Sequence, residues 1–215
     1  MTDPQDEAVV DLVGALAYGE LSAFERLATD SRLAPTVTDK AELAEMATAE
    51  YDHHRRLVAY LRELGVDPEA AMAPFVAPLD AFHDSTTPSD WLEGLIKAYV
   101  GDGLAIDFYR EVANFVDDRT RDLVLDVLGE TGHAEFVVGR VRAAIEAEPA
   151  LGGRLALWAR RLVGEALLQA QRVAVERPSL AALLGGPGDL AEVARMFARL
   201  TDRHAERMAA LGLSG

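Results

Sequence analysis

Two short segments of the sequence place a histidine three residues after a glutamate. Glu50 and His53 form the first pair, and Glu130 and His133 form the second. Residues three apart lie on the same face of a helix, so in each pair a carboxylate and an imidazole point in one direction. Oxygen and nitrogen ligands without sulfur suit iron or manganese, with zinc as a common substitute. The spacing therefore predicts a metal site built on helices.

The helical phase of both pairs places them where apolar residues belong. The stripe around the first pair consists of Leu43, Met46 and Leu57, and the stripe around the second consists of Leu123, Val127 and Val137. A carboxylate and an imidazole on a buried stripe are costly unless they are paired or coordinated. We therefore expect both pairs to face a common metal site inside a helical bundle.

Two further carboxylates complete a known ligand pattern. Some four-helix bundles hold two metal ions with a Glu-x-x-His pair from each of two helices and one carboxylate from each of the others. Phase selects Glu20 rather than Glu25 on the first predicted helix, and Asp102 rather than Asp107 on the third. Distance from the connecting turns places Asp102 level with the second pair and Glu20 about one helical turn from the first. The predicted metal ligands, whose four carboxylates would balance two divalent ions, are Glu20, Glu50, His53, Asp102, Glu130 and His133.

The elements that must position these residues are predicted to be helices throughout, because apolar residues recur at three- and four-residue spacing. Pro74 and Pro78 predict an irregular connection over residues 75–87, after a short helix that starts at Pro68. This organisation predicts one domain over residues 1–215, with a four-helix metal-binding core in 1–147, a long crossover between its second and third helices, and two C-terminal helices in 148–215. The predicted helices span about residues 6–30, 38–65, 87–115, 117–147, 151–177 and 189–211.

Composition limits the possible chemistry and partners. The 215 residues are 50% hydrophobic and include no cysteine, which excludes disulfides, thiolate metal sites and iron–sulfur clusters. No apolar run is long enough for a membrane span, and the acidic first residues lack the features of a signal peptide. We therefore expect a cytoplasmic protein that does not associate with membranes.

The net charge of -15 argues against a polyanionic partner, and it is unevenly distributed. Residues 1–117 carry 8 basic and 23 acidic side chains, whereas residues 118–215 carry 13 of each. A nucleic acid normally needs a basic face, so it would have to approach the neutral second half. The candidate basic strip there consists of Arg140, Arg142, Arg154, Arg160 and Arg161.

The sequence resembles the ferritin-like superfamily, and within it the actinobacterial proteins grouped with the tRNA 2-methylthio-isopentenyladenosine hydroxylase (MiaE-like). The likeness spans nearly the whole chain. The segments that carry it are LAYGELSAFERLA, AEYDHH, APLDAFH, PSDWLEGLIKAYVGDG and GETGHAEFV.

The resemblance implies a ferritin-like fold and a hydroxylase (monooxygenase) with two non-haem iron ions. Such an enzyme uses dioxygen as co-substrate and inserts one oxygen atom into an unactivated C–H bond, with a modified tRNA nucleoside as the candidate substrate. The six predicted ligands would then also be the catalytic residues. The sequence has no cysteine for a cluster and no Gly-x-Gly-x-x-Gly for a flavin or nicotinamide, so a separate reductase is expected to supply electrons. We also expect a homo-oligomer, a dimer.

Two other classes of function remain open at this point. The first is a ferritin-like protein that oxidises or handles iron without an organic substrate. The second is a bundle that keeps its ligands and serves as a binding scaffold. An apolar pocket beside the metal ions would favour the hydroxylase, whereas a hollow multimer would favour iron storage.

Overall fold

Ten α-helices make up the part of the chain that the computed structural model describes, residues 4–129, 133–183 and 190–213. These residues include no strand, which confirms the predicted all-α class. None of the helices is both long enough and apolar enough to cross a membrane. The helices are α1 (Pro4–Asp30), α2 (Val37–Glu63), α3 (Pro68–Ser85), α4 (Trp91–Ile96), α5 (Asp102–Val112), α6 (Asp118–Val127), α7 (His133–Ala147), α8 (Leu151–Glu176), α9 (Pro178–Leu183) and α10 (Leu190–Ala210).

Two separate apolar clusters form the core, and the predicted polar positions fall between them. On α1, Leu16 belongs to one cluster and Leu27 to the other. On α2, Leu57 belongs to the first cluster and Met46 to the second. The segments of α1 and α2 that contain the predicted ligands lie between these residues. The bundle therefore encloses a polar layer with an apolar cluster on each side of it.

The predicted irregular crossover is wrong, because α3 continues as a helix through Pro74 and Pro78 to Ser85. Each proline removes one helical hydrogen bond, but the two lie four residues apart on one face. Pro78 is buried with Phe75, so packing compensates for the missing bonds. The close approach of α3 also explains a glycine in α1. A Cβ atom at Gly14 would lie 2.3 Å from the backbone oxygen of Ala71.

The predicted third helix contains a π-helical turn. Asp90 caps its start, accepting a hydrogen bond from the Glu93 N–H at 3.0 Å, so the helix begins at Trp91 rather than near residue 87. After α4, residues Lys97–Gly101 form the π turn, and α5 follows directly with Asp102 as its first residue. A single 3₁₀ turn, Ala113–Phe115, ends this segment. Isolated π turns inside α-helices frequently lie at functional sites.

The predicted fourth helix is divided, contrary to the single helix expected over 117–147. Helix α6 ends at Val127, and Leu128 and Gly129 form a turn before α7 begins at His133. Gly129 stands at this interruption, and a glycine disfavours a helix by up to about 1 kcal/mol.

The C-terminal helices cover the bundle on two sides. Helix α8 packs against α3 and the π turn, and α10 packs against α5. The short helix α9, which the sequence did not predict, contacts α1 and α8. Helix α10 thus touches the same helix that begins with Asp102.

Candidate metal centre

Three of the predicted ligands converge between α1 and α2. The ligand atoms of Glu20, Glu50 and His53 all lie within 4.8 Å of one another. His53 Nδ1 is 3.3 Å from Glu20 Oε2 and 3.7 Å from Glu50 Oε2. Metal–ligand bonds to such atoms are about 2.0–2.2 Å long, so one ion can contact all three groups after small side-chain movements. The i, i+3 spacing on α2 produces this convergence.

The electrostatics of the cluster suit a bound cation. Burial, and then the neighbouring Glu50 carboxyl, raises the pKa of Glu20 well above its usual value of 4.5. Hydrogen bonds to Glu20 and Glu50 raise the pKa of His53 to about 9. Two carboxylates crowded together in a buried place repel each other, and a divalent cation removes that cost.

Asp102 is close enough to Glu50 for the two charges to interact. Burial, and then the charge on Glu50, raises the pKa of Asp102, while Lys97 lowers it. Both acids line the same cavity. The structure gives no information on the two predicted ligands of the fourth predicted helix, because Glu130 and the His133 side chain lie outside the described residues. The role of all six residues as ligands stays a prediction.

Asp107, which the phase argument set aside, lies in a different environment. It is buried and pairs with Arg207, and Arg203 Nη1 lies 3.5 Å from its Oδ1. One turn further along α5, Glu111 is also buried and forms a two-pronged hydrogen bond with Arg199. These carboxylates hold α10 against α5.

A cavity of about 620 Å³ adjoins the metal centre. Glu20, Glu50, His53 and Asp102 form one part of its wall. Small-molecule sites typically have volumes of about 300–1,000 Å³ and mostly apolar walls. The apolar side chains of this wall include Leu16, Met46, Leu79, Phe82, Ile106, Val127 and Val137.

Comparison with known proteins agrees with this architecture. The family described as "Ferritin-like domain, actinomycetes" matches residues 3–187. The chain belongs to this ferritin-like family. No functionally curated protein matches it in sequence.

Among solved structures, this ferritin-like chain is similar to "Protein 19 with aldehyde deformylating oxidase activity from Synechococcus". The TM-score is 0.73, the sequence identity is 21%, and the match covers 99% of this chain and 93% of the other. At that identity the likeness establishes a shared fold. It confirms the predicted ferritin-like bundle.

Three polar residues that line the cavity beside the metal centre were not among the predicted site residues. Tyr109 lies near Glu20, and burial raises its pKa. His83 lines the cavity, and burial together with Lys97 and Arg26 lowers its pKa to about 3, so it is neutral at ordinary pH. Arg207 reaches the wall from α10, more than a hundred residues after Asp102. Tyr109 continued the predicted apolar stripe, and His83 follows Asp80 in a second carboxylate-x-x-His spacing that favours a helix-end cap over a metal site. Nothing in the sequence pointed to Arg207.

Proposed function

We propose that this ferritin-like protein is a di-iron hydroxylase that acts on an apolar group, with a modified tRNA nucleoside as the candidate substrate. The observation that carries the proposal is the contact between the carboxylate–histidine cluster and the 620 Å³ cavity. A protein that only handles iron needs the cluster but has no use for an apolar cavity beside it. The iron-handling function is therefore the alternative that the tests must separate.

The residues present fit a pair of iron ions. Glu20, Glu50, His53 and Asp102, with Glu130 and His133 as the predicted remainder, offer four carboxylates and two imidazoles. This is an oxygen and nitrogen ligand set of the kind that iron binds. Iron held there would supply the binding and reduction of dioxygen that hydroxylation requires.

Hydroxylation converts a C–H bond into C–OH and forms one water molecule from the second oxygen atom. The reaction takes up two electrons and two protons. The sequence offers no cysteine for a cluster, so a separate reductase is the proposed electron source. The apolar walls of the cavity keep bulk water from the reacting carbon, while Glu20 and Tyr109 place carboxyl and phenol groups at the same wall.

The tRNA substrate rests on the resemblance to the MiaE-like proteins, and the arginine strip does not strengthen it. Arg140 pairs with Asp39, and Arg154 pairs with Asp90 and Glu93. Arg142 and Arg161 donate to backbone carbonyls at the ends of α10 and α3. Arg160 is exposed. Most of the proposed basic strip therefore serves contacts within the protein.

Metal content tests the centre itself. Protein purified from iron-supplemented cells is expected to contain about two iron ions per chain, and Glu50→Ala is expected to lower that content to below about one. Glu63→Ala is the matched control, because Glu63 lies on the same helix and pairs with Arg119 at the surface. An unchanged iron content in Glu50→Ala would refute the di-iron centre.

Oxygen use separates hydroxylation from iron handling. With a chemical reductant, a hydroxylase consumes dioxygen in proportion to a hydroxylated organic product, whereas an iron-oxidising protein consumes it in proportion to ferrous iron. Mass spectrometry of tRNA nucleosides from a deletion strain then tests the substrate. An unchanged pool of hydroxylated adenosines rejects tRNA and leaves a different apolar substrate to be found.

A further inference from the structure

Among the described side chains of α10, Arg207 is the one that lines the cavity beside the metal centre. Its side chain is 15% exposed, and Nη2 donates to the Gly103 carbonyl at 2.8 Å and to Asp107. Nη1 is buried and has no hydrogen-bond partner among the described residues. A buried donor without a partner is costly. Arg203 Nη1 is in the same condition, but Arg207 is the residue of this pair that lines the cavity.

The sequence around Gly103 makes room for this arginine. A Cβ atom at position 103 would lie 2.4 Å from Arg207 Nε, so a larger residue would displace the guanidinium. Asp107, the anion that Arg207 contacts, is shared with Arg203. Arg203 Nη1 also lies 3.4 Å from Glu111 Oε1, and Glu111 pairs with Arg199, so these contacts set three guanidinium groups against two carboxylates. Arg207 also lies beyond residues 3–187, which match the family, so the match itself does not define its role.

The other charged groups of the wall do not substitute for it. Arg110 Nη2 donates to the Leu128 carbonyl at 2.8 Å, and His53, the other cationic side chain, has its Nδ1 3.3 Å from Glu20 Oε2. Glu135 is exposed to solvent, and the remaining acids belong to the metal centre. The rest of the wall is largely apolar.

We propose that Arg207 binds an anionic oxygen group, a carboxylate or a phosphate, of a ligand whose apolar part fills this cavity. The inference rests on the proposed function in taking the cavity as the substrate site. Arginine suits this role because its planar fork matches two oxygen atoms of one anion. The substrate class is therefore narrowed from any apolar molecule to one with a single anionic group.

The test compares two pairs of probes by titration calorimetry. Decanoate is compared with decanol, and N6-isopentenyladenosine 5′-monophosphate with its uncharged nucleoside. We expect the anion of at least one pair to bind about tenfold more tightly than its neutral counterpart, as a charge-assisted hydrogen bond predicts. A preference for decanoate over decanol would identify the anionic group as a carboxylate. A preference for the nucleotide over its nucleoside would identify it as a phosphate. Equal affinities within both pairs would overturn the proposal.

Substitution then assigns the preference to Arg207. Arg207→Gln is expected to remove it, whereas the matched control Arg203→Gln, from the same ion-pair network but not from the cavity wall, is expected to keep it. If the single variant is unstable, the double variant Arg207→Gln with Asp107→Asn replaces it, because it removes both charges of this ion pair. A preference that survives in all the Arg207 variants would refute the assignment, and it would show that the anion binds elsewhere, including at a metal ion.

A failure of this proposal can be distinguished from a failure of the proposed function. Binding requires neither reductant nor oxygen, so it can be present in a protein that does not hydroxylate. Conversely, an iron-loaded protein that hydroxylates a neutral substrate with no preference for anions would support the function and refute the role of Arg207.

Discussion

Helix α5 carries acidic side chains in two different environments. Asp102 faces the cavity with Glu50, whereas Asp107 and Glu111 face α10 and its arginines. In the second group each carboxylate has a guanidinium partner from the protein. On the cavity side, Glu20 of α1 lies beside Glu50. The cationic partner of Glu20 among the described residues is the imidazole of His53. The contrast separates acids that form stabilising contacts within the protein from acids that we propose bind a cation from outside.

The largest difference is expected from neutralising one acid in each group. Asp107→Asn leaves Arg207 without its partner and should lower the free energy of unfolding by about 3 kcal/mol. Glu20→Gln should instead raise the stability of metal-free protein at pH 7. The folded-state pKa of Glu20 is raised, so its stabilising contribution is present below pH 4.5 and is lost as the pH rises through that pKa.

Denaturant titration of both variants provides the measurement. The same substitution type then gives opposite signs on the two sides of the bundle. If both variants lost similar amounts of stability, the distinction between the two groups of acids would be wrong.

Added metal should stabilise the protein through the group of acids that includes Asp102, and not through the group that includes Asp107. A divalent cation at about one hundred times its Kd stabilises a protein by about 2.7 kcal/mol. We expect a gain of this order for the wild type in ferrous or manganous salt, and a much smaller gain for Asp102→Asn. Asp107→Asn, measured against its own metal-free form, should keep the full gain. Thermal unfolding with and without metal distinguishes these cases, and a full gain in Asp102→Asn would remove Asp102 from the ligand set.

The pKa values of the two cavity histidines, His53 and His83, should be shifted in opposite directions from the ordinary value of 6.5. His53, with a pKa of about 9, contributes stability that is complete below pH 6.5 and is lost as the pH rises through 9. His83, with a pKa of about 3, loses stability as the pH falls from 6.5 towards 3. NMR titration of metal-free protein should show both values, and Glu20→Gln should bring the pKa of His53 down. A His53 pKa near 6.5 in the wild type would contradict the observed hydrogen bonds.

The smallest effect is expected from single methyl groups placed at two glycines. Gly103→Ala forces Arg207 to move and should cost about 1–2 kcal/mol. Gly19→Ala, beside Glu20, meets no atom within 4 Å and should be neutral or stabilise the helix by up to about 1 kcal/mol. Chemical denaturation compares the two. Equal effects would mean that α10 adjusts freely, and that Arg207 is not held in place.

The fold and the convergence of Glu20, Glu50 and His53 could be predicted because they depend on local spacing. Three-residue spacing aligned Glu50 with His53, and distance from one turn placed Glu20 near them. Pro74 misled the prediction, since packing of α3 outweighs the local preference of proline. Arg207 could not be predicted at all, because its place depends on how α10 docks onto α5, and no short-range pattern encodes that contact.

The orientation of Asp102 depends on the number of residues in the π turn that precedes it. It holds one more residue than a regular helical turn would, and each residue of an α-helix turns the chain by about 100°. Deleting a single residue within Lys97–Gly101 would let the helix become regular while rotating Asp102 away from Glu50 relative to α4. A variant of this kind would keep its composition, its helix content and nearly all of its core, yet lose an acid from the centre. A one-residue insertion or deletion in this segment is therefore expected to displace Asp102 from the proposed site more than most substitutions there would.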